Sequence, residues 1–389
     1  MYKPIQVAVI GAGNRARKYL SCLPEWVKVR YIVEPEQLRL KETASLYGVP
    51  ADGCFRTTEE FFASNPKADA AIIATPDRLH VPLSLEAAAR GWHVLLEKPV
   101  ALTESGYREL EAAAERCGVY ITPCLEMRYH KYFQRVRELS RSGMIGTIRH
   151  IDHTEHIGPD RMAHTFVRGL WSRHADAGPI FLSKCCHDAD FLMWLTGESV
   201  ISVSGSGSIA KFKEDPSTPE RCLGCNIGDC PYSAVNLYKE RREWIDGFDV
   251  PPGSTFEQVI DEELRSGRWG RCVYHCDNDV YDTQDVSVEL TGGIHLDMHL
   301  EGTSLQEGRC TVVEGTLGTL IADTWKIRIE KDGKTILEED YSDLDDLGLH
   351  GGADIAMLHD FFEAVATGCK PQLTLQSSFE GHRLCYLAG

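Results

Sequence analysis

The sequence predicts an α/β protein, with a doubly wound parallel sheet at the N-terminal end and an α+β region on a mostly antiparallel, open sheet after it. Three observations carry this. Apolar runs alternate with helical stretches through the first third of the chain. A glycine-bearing turn, Gly-Ala-Gly-Asn-Arg-Ala, follows the first apolar run. Further on, strand-like runs succeed one another through short turns such as "TGG", "EGT" and "KDG".

In the first third, the runs Val7–Ile10, Val29–Val33, Ala70–Ala74, Val94–Leu96 and Tyr120–Thr122 read as strands. Between them lie helical stretches, including Pro35–Tyr47, His80–Arg90 and Thr103–Arg116, and Gly91 and Gly118 stand just past two of these, where a left-handed cap favours glycine. After Pro123 the pattern gives a helix over Phe133–Ser142, a strand over Thr147–His156, a long irregular stretch and a helix over His187–Leu195. Strands are then expected at Val200–Ser208, Val286–Leu290, Ile294–Glu301, Cys310–Glu314, Thr319–Ala322 and Lys326–Glu330, with closing helices at Ala353–Thr367 and Leu375–Leu387. The expected division is a cofactor domain over 1–123 and a substrate-binding and oligomerisation domain over 124–389, with a cysteine-rich insertion at about 211–256.

At 389 residues the chain can bury two cores without covalent staples. A formal charge of −17 argues against a nucleic-acid surface or an anionic membrane, both of which need a basic face, and leaves small molecules as the expected ligands. No stretch approaches the roughly 18 to 20 apolar residues of a membrane span, and the start runs straight into a strand, so the expected location is cytoplasmic. Most of the fourteen cysteines stand singly in apolar contexts, such as Cys22, Cys54, Cys117 and Cys124, and read as reduced core thiols.

The glycine turn has a mechanical reading. Gly11 permits the tight turn after the first strand, Gly13 lets backbone approach a pyrophosphate, and Ala16 keeps the following helix close to the sheet. The second strand ends in "YIVEPE", which places Glu34 where an acidic side chain accepts hydrogen bonds from an adenosine ribose. A carboxylate there repels a 2′-phosphate, so NAD is expected over NADP; Arg15, Arg17 and Arg39 are the nearby cations that would favour the opposite choice.

Two further stretches, "ATPDRLH" (Ala74 to His80) and "GWHVLLEKPVALT" (Gly91 to Thr103), resemble the nucleotide-binding domain of the glucose-fructose oxidoreductase, inositol dehydrogenase and rhizopine-catabolism superfamily (Gfo/Idh/MocA). "EMRYHKYF", "AHTFVRGLWSR" and "LSKCCHDADFLMWLTG" resemble the substrate-facing segments of its second domain, so the resemblance spans essentially the whole chain. It implies a Rossmann fold, a homodimer or homotetramer formed through the second domain, and a Glu-Lys-Pro tripeptide, here Glu97, Lys98 and Pro99, whose proline bond is commonly cis and whose lysine reaches nicotinamide and substrate. Asn14, Arg15, Thr75, Pro76, His80 and Glu97 complete the cofactor-facing set that it implies.

Oxidising an alcohol with NAD needs a base for the hydroxyl proton, a positive group for the developing alkoxide, and a carbon held against the nicotinamide. His187 and Lys98 fill the first two roles; imidazole titrates near neutrality, and a lysine just past a strand end lies at the carboxyl edge of a parallel sheet, where such folds bind ligands. Asp190, three residues after His187 on the same helix face, could orient the imidazole; it and Asp188 could equally be acids favoured by a helix N-terminus. Many sugar dehydrogenases of the family carry an aspartate four residues before the histidine, whereas Ser183 stands there. Lys184 then either offers a second cation to an oxygen-rich substrate or disfavours a charged His187 by like-charge repulsion, with Arg128, Arg168 and Trp171 adding guanidinium groups and an indole face.

The segment "ERCLGCNIGDCPYSAVNLY" holds Cys222, Cys225 and Cys230 in a polar, proline-flanked insertion expected to bury little of itself. Structural zinc, reduced free thiols and a disulfide all fit this spacing; for zinc the fourth ligand would come from Cys272, His275 or Cys276.

Together these features point to an NAD-dependent dehydrogenase acting on a secondary hydroxyl of a sugar, glycoside, sugar acid or cyclitol. Two other readings use the same residues: transient oxidation by tightly held NAD with net glycoside cleavage or isomerisation, and a redox-inert NAD or metabolite sensor. If Glu34 governs the cofactor pocket, NAD binds at least about tenfold tighter than NADP, roughly 1.4 kcal/mol, in a fluorescence titration. Equal or reversed affinities would hand control of the pocket to the neighbouring arginines.

Overall fold

The structure is a computed structural model that describes residues 2–242, 244–245, 248–347 and 349–389. The chain divides into two compact units, Met1–Arg135 with Asp343–Arg383, and Val136–Ser342 with Leu384–Gly389.

The first unit carries strands β1 (Ile5–Ile10), β2 (Val27–Val33), β3 (Cys54–Phe55), β4 (Ala70–Ile73), β5 (His93–Leu96) and β6 (Ile121–Pro123), all parallel in the order β3-β2-β1-β4-β5-β6. This is the doubly wound arrangement, in which strands buried on both faces read as unbroken apolar runs; Val7, Ala8, Val9 and Ile10 are all fully buried. Helices α1 (Asn14–Leu20), α2 (Gln37–Tyr47), α3 (Thr58–Ala63), α4 (His80–Ala89) and α5 (Glu104–Cys117) connect the strands. Thr57 and Thr103 cap the starts of α3 and α5 through their hydroxyls, and Gly118 ends α5 in a left-handed conformation. The two elements absent from the sequence reading, β3 and α3, span two and six residues and are too short to show a period.

The expected boundary at 123/124 does not account for the C-terminal segment. Met357, Leu358, Phe361 and Phe362 of α11 (Ala353–Thr367) share one core cluster with Val7, Val9, Ile32 and Ile72. The chain therefore returns to close a face of the parallel sheet, which must be covered on both sides.

In the second unit, β7 (Ile148–His156), β8 (Val200–Ser208), β9 (Thr283–Leu290), β10 (Ile294–Glu301), β11 (Gly308–Gly315), β12 (Thr319–Asp323), β13 (Lys326–Lys331) and β14 (Lys334–Asp340) form one sheet in the order β14-β13-β12-β11-β7-β10-β9-β8. Every neighbouring pair is antiparallel except β7 and β10. Gly292 and Gly293, with φ of +74° and +71°, make the tight β9–β10 turn that needs two left-handed residues. β14 was not expected, because its charged and exposed residues show no buried face. Helices α7 (Pro159–Arg161), α8 (His174–Ala177), α9 (Ile180–Thr196) and α10 (Phe256–Arg265) belong to this unit, while α6 (Lys131–Arg141) and α12 (Leu375–Ala388) each contribute residues to both units. Among the described residues no helix is long and apolar enough to cross a membrane.

α9 starts two turns earlier than the sequence reading placed it. Pro179 precedes it and Ile180, Phe181, Leu182, Cys185 and Cys186 are buried along it, so His187, Asp188 and Asp190 stand mid-helix and owe nothing to a helix N-terminus. Polar groups fasten this helix to the sheet. Lys184 meets Glu155 of β7, Arg309 of β11 lies 2.9 Å from the other Glu155 oxygen, and the same guanidinium pairs with Asp188. Asp188 also lies 3.3 Å from Nε2 of His153, whose Nδ1 reaches the Thr311 hydroxyl at 2.9 Å. Burial alone would raise the Asp188 pKa, but Arg309 and His153 outweigh it and hold the carboxyl well below the usual range.

A depressed carboxyl contributes stability that is present above its unfolded pKa, near 3.9, and is lost as pH falls toward the folded value. Asp188→Asn should cost about 3 kcal/mol or more at pH 7, by leaving Arg309 short of a counter-charge. In urea unfolding it should also flatten the loss of stability below about pH 4. An unchanged acid limb would mean that Asp188 carries no net charge interaction.

Candidate active site

In the first unit the glycine turn is shaped for close approach. Gly11 has φ of +86°, and a Cβ there would stand 2.5 Å from the Ala74 carbonyl oxygen, so no other residue fits between β1 and β4. A Cβ on Gly13, by contrast, would meet nothing within 4 Å, which leaves the backbone open to a diphosphate. Ala16 is fully buried against the sheet and Asn14 is exposed at the start of α1. Glu34 is 4 % exposed; its Oε2 accepts the Ala12 N–H at 2.8 Å, and its Oε1 accepts the Glu36 N–H at 3.0 Å and faces Arg39 at 3.5 Å. A carboxylate has about four lone-pair sites, so acceptor capacity remains for ribose hydroxyls. The Thr75 hydroxyl, half-buried beside Gly11, has no protein partner, while Pro76 is exposed. An open glycine cradle, an acidic side chain at its rim and an orphan hydroxyl fit a dinucleotide.

Arg15 is taken up by carboxylates. Its guanidinium sits 3.0 Å from Glu97, 2.5 Å from Asp354 and 3.6 Å from Glu126, and lies over the Tyr19 ring. Glu97 also accepts the Tyr19 hydroxyl and, at 3.0 Å, the backbone N–H of Lys98. Lys98 is half-buried just past β5, and its bond to Pro99 is cis. His80, expected at the cofactor, is fully buried; its Nδ1 lies 2.7 Å from the Pro99 carbonyl and its Nε2 3.0 Å from the Thr75 carbonyl, so it ties two turns together from beneath.

His382 of α12 supports the same turn and was missed by sequence reasoning. Its Nε2 accepts the Val100 N–H at 3.2 Å, which requires the neutral ring, and burial, opposed by the Ser378 carbonyl and aided by the charges of Arg128 and Lys98, pushes its pKa down to about 4. Arg128 donates to the Ser377 carbonyl at 2.6 Å.

In the second unit His187 lies half-buried on α9, with Asp190 buried one turn on. Lys184 is spent on Glu155 rather than offered to a substrate. Arg168 is also placed elsewhere: it is fully buried and donates at 2.6 Å to the carbonyls of Arg271 and Tyr232 and at 3.3 Å to the Cys222 sulfur. His164, four residues earlier, stacks on Trp244 and Trp269. This stretch is thus a docking strip for the insertion, and Trp171 alone of its expected contacts stays half-exposed.

The insertion buries more than its composition suggested. Ala234, Leu237, Tyr238, Ile260 and Leu264 form a small core of their own, closed by α10, which the sequence reading omitted. Arg221 and Arg271 pair as an antiparallel bridge, Cys222 N–H bonding to Gly270 and Cys272 N–H to Glu220, so the two cysteine segments do lie side by side. Cys222, Cys225, Cys230, Cys272 and Cys276 form no disulfide in this structure, against the disulfide reading. The sulfurs of Cys222, Cys225 and Cys230, with those of Cys272 and Cys276, do not gather as a ligand set; among the described residues only His150, His295 and Asp297 bring ligand atoms within 4.8 Å of one another.

His153, Glu155 and Arg309 also escaped notice. A signal was present in "IDHTEH": alternation puts Ile151, His153 and Glu155 on one face of β7, and two polar residues on a core-facing row demand partners.

Two family descriptions match the chain: the oxidoreductase family, NAD-binding Rossmann fold, over residues 5–123, and the GFO/IDH/MocA C-terminal domain over residues 133–321. The protein YteT of Bacillus subtilis is 25 % identical over 321 residues, covering 76 % of this chain and 72 % of that protein. Inositol 2-dehydrogenase of Corynebacterium glutamicum is 25 % identical over 213 residues, 52 % of this chain and 57 % of that one. The crystal structure of an oxidoreductase from Agrobacterium radiobacter in complex with NAD+, L-tartaric acid and magnesium superposes with a TM-score of 0.71 at 13 % identity, covering 100 % of this chain and 97 % of that one, and so shares the fold. With both halves of the chain matched in order, this protein belongs to the GFO/IDH/MocA family of oxidoreductases.

Proposed function

We propose that this chain is an NAD-dependent dehydrogenase that oxidises a secondary hydroxyl of a sugar, glycoside, sugar acid or cyclitol to a ketone. The observation that carries the reading is the seating of Lys98. It stands at the carboxyl edge of the parallel sheet, held by Glu97 through its own N–H and by His80 and His382 through the backbone of Pro99 and Val100. A cation with so many supports is built to hold a position. Bound NAD supplies a hydride acceptor.

In this reading Lys98 stabilises the oxygen as negative charge develops on it, and His187 takes the hydroxyl proton. The C–H bond breaks with its electron pair leaving as hydride, the O–H electrons become the second C–O bond, and the proton ends on imidazole. Glu34 binds the ribose, and the cradle around Gly13 takes the diphosphate. Inositol 2-dehydrogenase among the relatives supports a polyhydroxylated ring as the substrate class. Trp171 then offers an apolar face to such a ring, while Asp190, buried beneath His187, orients the imidazole.

His187→Ala and Lys98→Met should each lower turnover by about 10² or more, followed by NADH absorbance over a panel of sugars and cyclitols. NAD affinity should survive His187→Ala. Substrate deuterated at the oxidised carbon shows whether hydride transfer limits the residual rate. Near-normal turnover of His187→Ala at every pH would remove it as the base and leave Lys98 in that role.

A further inference from the structure

The sheet of the second unit has a face turned away from α9, and on it strands β7 and β10 run in parallel with His295 beside His150. Asp297, two residues on from His295, receives both imidazoles. Nε2 of His150 lies 3.1 Å from its Oδ2, and Nε2 of His295 lies 3.3 Å from its Oδ1. The two rings are nearly coplanar in tilt, 21° apart, with centroids at 5.6 Å. All three side chains are partly buried, at 31, 41 and 26 % exposure.

The remaining ring nitrogens are also taken. Nδ1 of His150 lies 3.5 Å from Oε2 of Glu314 on β11, and Nδ1 of His295 lies 2.9 Å from Oε1 of Glu289 on β9. Ser287 of β9 donates to Asp297 as well. Each imidazole thus points one nitrogen at a shared carboxylate and the other at a private one. That is the arrangement of a metal-bound histidine, whose free N–H donates to a carboxylate that fixes the ring and raises its basicity. Three carboxylates gathered around the two rings also make this patch attractive to a divalent cation.

We propose that His150, His295 and Asp297 bind one divalent transition-metal ion of the zinc, cobalt and nickel class, with Glu314 and Glu289 orienting the two imidazoles. Two nitrogens and one carboxylate suit these metals, whereas calcium and magnesium take oxygen donors. Three protein ligands leave a coordination position for water or another donor. None of the five residues belongs to the proposed dehydrogenase chemistry, so the site stands or falls separately from it.

The test is a titration of chelator-stripped, full-length protein with cobalt(II), read by visible absorption and calorimetry. Expected is saturable binding of about one ion per chain with nitrogen- and oxygen-type bands and no sulfur-to-cobalt charge-transfer band. His295→Ala should abolish it, and Glu289→Gln should weaken it about 10- to 100-fold. Far-UV circular dichroism confirms that each variant is folded, and His150→Gln replaces His295→Ala if that one is not. Cobalt held by the cysteines instead would show the charge-transfer band and persist in both histidine variants, which would overturn the proposal. So would the lack of any saturable binding, which would leave the cluster as an ion-pair network.

Discussion

Glu97 is the point at which the cofactor half of the protein is tied together. Its carboxylate collects the Arg15 guanidinium, the Tyr19 hydroxyl and the Lys98 amide, so the glycine turn, α1 and the lysine-bearing turn cannot move independently. Arg15 carries the tie onward to Glu126 and to Asp354 at the start of α11. A buried charge cluster of this kind is a poor source of net stability, because desolvation offsets most of the attraction, but removing any member strands the others. Position is what it secures. The Glu155, Arg309 and Asp188 cluster does the same for α9 in the second unit, and in both units the proposed working residue is one step removed from the ions that hold it.

The parts of this architecture that were legible in the sequence share a physical cause. Parallel strands buried on both faces leave apolar runs, so β1, β2, β4, β5 and β6 could be found within a few residues, and β10 showed itself by strict alternation. Gly11 could be read because only glycine tolerates its conformation. Lys98 and His187 were proposed from motifs rather than from pattern. What could not be read was the partner of each buried polar side chain. Lys184, Arg168 and Arg15 are ordinary cations in sequence; their counter-groups, Glu155, the Tyr232 and Arg271 carbonyls, and Asp354, lie 29 to 339 residues away. The start of α9 was misread for a related reason, since a His-Asp-x-Asp string resembles the polar opening of a helix when its burial is unknown.

The cysteine-rich insertion shows how composition can mislead about folding energy. A polar loop flanked by prolines was expected to bury little of itself, yet its Tyr238 and Phe248 meet each other and Trp269 of the following segment edge to face around a small apolar centre. Arg168 completes this by satisfying two carbonyls that the loops would otherwise bury unpaired. The insertion is therefore held by packing and hydrogen bonds supplied largely from the strip that precedes α9.

The return of α11 to the first sheet has a consequence for the order in which the protein is made. Val7, Val9, Ile32 and Ile72 leave the ribosome early, but Phe361 and Phe362, which share their core, follow only after the whole of Val136–Ser342. At about 5 to 20 residues per second, that interval of about 200 residues lasts roughly 10 to 40 s. For that time the core shared with α1 and α2 lacks the side chains that α11 brings to it, so this incompletely covered surface is where a chaperone would find its target and where mistaken association would begin.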